Sequence, residues 1–177
     1  MLTRENFMYK KRILKPSFIF GIIFVGVVAI GAYVLGQGGT EKENLLPGKL
    51  EITETQYDFG TIGLDNVSHT FMVRNIGEGP LPIERVSTSC GCTSAQLKQG
   101  NKTSVKFGMD HGNLPKANIT LEPGEETEVI VTYNPLAHGP SRAAGYFNRI
   151  VYIKTGNPKE EHELTVTMTV DPELVQK

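Results

Sequence analysis

The sequence predicts an all-β domain, a sandwich of about seven short antiparallel strands, preceded by one N-terminal transmembrane helix. Three observations predict it: an uncharged apolar run at 17–36, period-two alternation of apolar and polar residues beyond it, and Gly, Pro and Asn turns between the alternating segments. The run from Ser17 to Gly36, SFIFGIIFVGVVAIGAYVLG, has the length of about 20 residues that a helix needs to cross a hydrocarbon core. Arg4, Lys10, Lys11, Arg12 and Lys15 precede it, opposed only by Glu5. Positive charge stays on the cytoplasmic side, so the expected orientation has the N-terminus inside and the rest exported. A cleaved signal peptide has a shorter apolar core, and here Tyr33, Val34 and Leu35 continue past the small-residue site at Ala29 to Gly31. The expected organisation is a cytoplasmic basic head at 1–16, a signal anchor at 17–36, a Gly-rich linker at 37–49, one exported domain at 50–172 and a tail at 173–177.

Each expected strand has its own signal. Lys49 to Thr55 alternates briefly, and Tyr57-Asp58-Phe59-Gly60 reads as a break. Val67, Phe71 and Val73 share one face of a strand ending at Arg74-Asn75-Ile76-Gly77. Leu81 to Val86 is another, with Pro82 pointing to an edge or an irregular start. Glu122-Pro123-Gly124-Glu125 has proline and glycine where a type II turn requires them. Val129, Val131 and Tyr133 alternate with polar or opposite-face residues after it. Arg149 to Lys154 is nearly all apolar and reads as a strand buried on both faces. Leu164, Val166, Met168 and Val170 alternate with threonines, the clearest period-two segment of the chain. Such a series, without an amphipathic helix, predicts an immunoglobulin-like sandwich. The inter-sheet disulfide and core tryptophan of antibody domains are excluded, because there is no Trp and the two cysteines are two residues apart.

Charge removes two classes of partner. The chain carries 18 basic and 19 acidic residues, and without the head's five basic residues and one acidic residue the exported part is left with 13 against 18. That acidic balance disfavours nucleic acid and a grip on anionic headgroups. There is no serine-nucleophile motif, no phosphate-binding glycine loop and no His-rich metalloprotease pattern. The acidic pairs Glu125-Glu126 and Glu160-Glu161 are adjacent in sequence and on strands point to opposite faces, so they make poor acid–base pairs.

The chemistry-bearing segment is Thr88-Ser89-Cys90-Gly91-Cys92-Thr93. In extended chain the two cysteines share a face about 6.6 Å apart, at the upper edge of disulfide reach. Gly91 can take conformations closed to other residues and so tighten the segment into a small ring. The same placement presents two thiolates to one soft metal. Met109 and His111 in Phe107 to Gly112, and His138 in a later loop, are the residues that could complete a Cu(I) shell with Cys90 and Cys92. Zinc suits the pattern less, since four firm ligands at structural-site spacing are missing. The plainer alternative makes the pair a tight disulfide, Met109 a core plug and His111 and His138 ordinary loop residues. A third makes Cys90 and Cys92 a thiol–disulfide couple, although no neighbour in sequence lowers a thiol pKa. His69, in phase with Phe71, is expected at the interior or rim with a hydrogen bond, and His162, in a charged turn, is expected to be solvated.

Five segments in order, Tyr57 to Ile62, His69 to Phe71, Arg74 to Gly77, Thr88 to Thr93 and Leu121 to Glu125, resemble the bacterial domain of unknown function 1573. The resemblance covers about residues 50 to 170 and is most specific at Ser-Cys-Gly-Cys-Thr. It implies an immunoglobulin-like fold, akin to Hydin-type and major-sperm-protein domains, on a secreted or anchored protein, and brings no established activity. Lys98 to Ala117 looks like an insertion found in part of the family. The expected place is the bacterial inner membrane, single-pass, with the C-terminal domain periplasmic or extracellular. The expected function is a non-catalytic interaction or scaffold module whose partner is another envelope or membrane protein. The alternatives are Cu(I) binding or transfer and thiol–disulfide exchange.

Overall fold

In a computed structural model, residues 46–174 are described. The expected anchor at 17–36 lies outside them, and among the described residues no helix is long and apolar enough to cross a membrane. Ten strands form two five-stranded sheets. The first has the order β1 (Leu50–Ile52), β3 (Val67–Asn75), β8 (Glu126–Tyr133), β5 (Thr93–Gln99), β6 (Lys102–Thr103). The second has the order β2 (Gln56–Ile62), β10 (Glu161–Val170), β9 (Gly145–Thr155), β4 (Leu81–Thr88), β7 (Ile119–Leu121). Three of the ten are two or three residues long, which leaves seven longer strands, the number expected; β3, β4, β8, β9 and β10 fall on segments that the alternation marked, whereas β2 and β5 do not.

The inward phase of each sheet supplies the core. Phe71, Val73, Ala95, Leu97, Val129, Val131 and Tyr133 come from the first sheet. Val151, Ile153, Leu164, Val166, Met168 and Val170 face them from the second. This side-chain period of two brings residues remote in sequence into one apolar layer, the main stabilising term of the fold. The Glu122–Glu125 turn closes as predicted, with the Glu125 N–H donating to the Glu122 carbonyl at 2.9 Å and Gly124 at φ 84°. Asn75 is fully buried at the end of β3. Its amide donates to the Gly79 and Leu121 carbonyls, and its oxygen accepts from Lys49 and Gly77, all at 2.8–3.0 Å. One side chain thereby satisfies four backbone groups, two of them in fully buried bonds.

Three expectations are corrected. The sandwich is mixed, because β2 runs parallel to β10 while the other pairings are antiparallel. Tyr57 to Gly60 is no break: it lies inside β2, where the register to β10 slips by one residue. Gly60, at φ 66°, takes up that slip as a bulge, and the Asp58 carboxylate accepts its N–H at 3.0 Å. Finally, β9 is not buried on both faces. Val151 and Ile153 are buried, whereas Ile150 and Tyr152 are half-buried and Lys154 is exposed, because a two-layer sandwich leaves nothing to cover the outer face.

The histidines divide. His69 stands at the rim as expected, stacked on Tyr57 with ring centres 3.6 Å apart and 2.8 Å from a Glu54 carboxylate oxygen. His162 is not freely solvated. It begins the inward phase of Leu164 in β10, is half-buried, and lies 3.6 Å from Glu160.

Candidate functional site

Four chain segments meet at one end of the sandwich, where β4 ends, β5 begins, β8 ends and β9 begins. The loop from Ser89 to Cys92 spans β4 and β5 as a tight turn, with the Thr93 N–H donating to the Cys90 carbonyl at 3.1 Å. The Thr88 hydroxyl lies 2.9 Å from the Cys90 carbonyl oxygen and 3.1 Å from that of Thr93. Ser89 is paired to β9 through both its N–H and its hydroxyl at Ile150. The Asn134 N–H donates to the Cys92 carbonyl at 2.8 Å. The turn is therefore held from β4, from β9 and from the residue that follows β8. Within it Cys90 and Cys92 form a disulfide, their Cα atoms 5.2 Å apart. Cys92 is buried and Cys90 half-buried. Gly91 is not needed for the geometry in the way expected: its φ is not left-handed, and a Cβ there would meet open space.

Two cationic or imidazole groups face the sulfurs. After β8 a 3₁₀ turn, Pro135–His138, is capped by the Asn134 side chain on the Leu136 N–H and ended by Gly139 at φ 85°. It places His138 Nε2 3.3 Å from Cys90 Sγ. From β9, Arg149 Nε donates to Cys92 Sγ at 3.0 Å, and the guanidinium carbon lies 4.9 Å from the centre of the Phe147 ring. Tyr133 packs behind Phe147 at 5.9 Å, and desolvation raises its phenol above the ordinary 10.0, against the lowering effect of Arg149. Arg149 is the residue that the sequence reading missed. It shares the inward phase of Val151 and Ile153, so its place in the strand could have shown that its head points over the end of the core.

Of the five metal-ligand candidates, three come together: donor atoms of Cys90, Cys92 and His138 all lie within 4.8 Å of one another. His111 is not in that group. Met109 bridges by its backbone to Thr88 and its side chain is partly exposed. It is no core plug. Phe107, two residues earlier, fills that role, fully buried and paired with Ala95 through both backbone hydrogen bonds. Asp110 then ties its segment to β4 through Arg85 at 2.7 Å and accepts the Gly112 N–H at 2.7 Å. That backbone hydrogen bond, and then Arg85, hold its carboxyl below the ordinary 3.8 against desolvation. A separate concavity of roughly 540 Å³ lies beside β4 and β7, lined in part by Arg85, Lys116 and Lys154; it does not include the cysteines.

Fold and site together define a class, an immunoglobulin-like β-sandwich domain with a cysteine pair in an end loop. Residues 50–120 match the family described as protein of unknown function (DUF1573), so the resemblance read from the sequence holds over that segment. No curated protein matches the chain. Among solved structures it is similar to a protein of unknown function from Porphyromonas gingivalis W83, at 16% identity and a TM-score of 0.54, over 75% of this chain. The chain spans 51% of that protein's length. It is also similar to PapD-like domain 7 of human CEP192, at 13% identity and a TM-score of 0.46, over 72% of this chain and 89% of that one. The YadV chaperone is a further match, at 11% identity and a TM-score of 0.41, over 72% of this chain and 54% of that one.

Proposed function

We propose that the protein is a membrane-anchored, extracytoplasmic interaction module without catalytic activity, its partner another envelope or membrane protein. The observation that carries this reading is the surface around the disulfide. Tyr146, Leu136 and Met109 are 67%, 43% and 38% exposed at the end of the sandwich where the cysteine loop lies. An apolar surface at one end of a domain is the feature that a protein contact would use. The rigid turn between β4 and β5 supports that surface, as recognition loops on a fixed scaffold require.

The test is a photoreactive phenylalanine analogue placed in cells at Tyr146 and, as a control, at Met72 on the outer face of β3. A discrete adduct from position 146 and none from position 72 is the expected result. No adduct at 146, or the same adduct from both positions, overturns the reading.

A second reading, Cu(I) binding, is favoured by the convergence of Cys90, Cys92 and His138. Two thiolates and an imidazole suit Cu(I), but only once the disulfide is reduced. The reduced full-length chain in detergent should then compete with a chromogenic Cu(I) chelator at one equivalent, and a Cys90→Ser/Cys92→Ser variant should not. Equal behaviour of the two proteins removes this reading.

A further inference from the structure

We infer that the Cys90–Cys92 disulfide is a site of thiol–disulfide exchange with a protein dithiol, and that Arg149 holds the leaving sulfur. Two features carry this. The sulfurs differ in access, Cys90 being half-buried at the loop surface and Cys92 buried beneath it. They also differ in partners, with His138 Nε2 3.3 Å from Cys90 Sγ and Arg149 Nε–H donating to Cys92 Sγ at 3.0 Å. A purely structural bond needs neither group.

The asymmetry sets the course of the exchange. An incoming thiolate meets Cys90 first. Its sulfur bonds to Cys90 Sγ, the Cys90–Cys92 bond breaks, and the electron pair of that bond leaves on Cys92 Sγ. Arg149 is already aimed at the atom where this charge develops, and a charge-assisted hydrogen bond is stronger than a neutral one. A better-stabilised leaving thiolate departs faster. The partner's second thiolate then attacks its own sulfur in the mixed disulfide. The partner's disulfide forms, and Cys90 leaves as a thiolate beside His138, whose ring can pass it a proton. Two electrons move from the partner's dithiol to the Cys90–Cys92 bond. The partner's two thiol protons go to solvent as its thiolates form, Cys90 and Cys92 take up two from solvent, Cys90 by way of His138, and the reverse path runs through the same intermediates.

The loop is also too small for a staple to be its main use. A bridge that closes three residues removes little chain entropy, stabilising by only about 1–2 kcal/mol in the loop-closure account. The exchange site stands apart from the choice of partner for the apolar surface, so either proposal can fail without the other.

The experiment mixes the oxidised full-length chain in detergent with reduced thioredoxin at neutral pH and follows free thiols by the mass shift of a maleimide adduct. One equivalent should open the wild-type disulfide. Arg149→Ala should slow the opening about tenfold and Arg149→Lys should restore part of the rate. His138→Ala should let the mixed disulfide accumulate. A disulfide that resists a tenfold excess of thioredoxin for an hour, yet opens in dithiothreitol and denaturant, overturns the inference. An Arg149→Ala rate equal to or above wild type does so too, because a variant that merely loosened the loop would expose the disulfide and speed its reduction.

Discussion

Arg149 and Asn75 show how single side chains set local chemistry and local stability in this domain. Arg149 turns a sulfur that is otherwise shielded into one that can bear charge. Asn75 makes four hydrogen bonds to backbone groups from a fully buried position, and its truncation to alanine leaves those groups without partners. Asn75→Ala should therefore lower unfolding free energy by about 2–4 kcal/mol, read as a shift of the urea midpoint. The cysteines make the contrasting case. A Cys90→Ser/Cys92→Ser variant should lose only about 1–2 kcal/mol, because the ring is small. A loss of 4 kcal/mol or more would show the bridge to be chiefly structural.

At the scale of elements, glycine conformation and the docking of residues 107–112 shape the strands and what packs beside them. Gly60 sits at φ 66° in the bulge of β2, a conformation that costs other residues about 1–2 kcal/mol. Gly91 has neither a left-handed φ nor a crowded Cβ position. Gly60→Ala should lower the melting temperature by several degrees, and Gly91→Ala should leave it within about 1–2 degrees. The segment before β7 is docked by Phe107 inside and by the Asp110–Arg85 pair outside. The folded carboxyl of Asp110 titrates below its unfolded value of 3.8. Its contribution is thus fully present above that pH and is lost as pH falls through the folded value. Wild type and Asp110→Asn should differ in hydrogen exchange of residues 107–112 at neutral pH and converge in acid. A difference that persists at pH 2 would put the anchoring elsewhere.

For the whole molecule, the anchoring proposal makes a prediction independent of the site. Alkaline phosphatase fused after Lys177 should be active in a bacterial host, and β-galactosidase fused at the same point should not. The opposite pattern would place the domain in the cytoplasm and remove the compartment in which a disulfide persists most readily.

The alternating residues of β3, β8 and β10 were enough to predict an all-β sandwich, because a two-layer fold writes its inward face into every second residue. The turn at Glu122–Glu125 was legible for a similar reason, since Pro123 and Gly124 supply the required dihedrals locally. The two cysteines marked the candidate site by their spacing and left staple, redox couple and metal site open. Tertiary structure decided the rest. The parallel pairing of β2 with β10 depends on contacts between segments about a hundred residues apart, which carry no local signature. The choice of His138 over His111 depends on which loops share an end of the sandwich. Arg149 reaches Cys92 only because β9 runs past the end of β4, and pairing register, not residue type, brings a guanidinium to a sulfur.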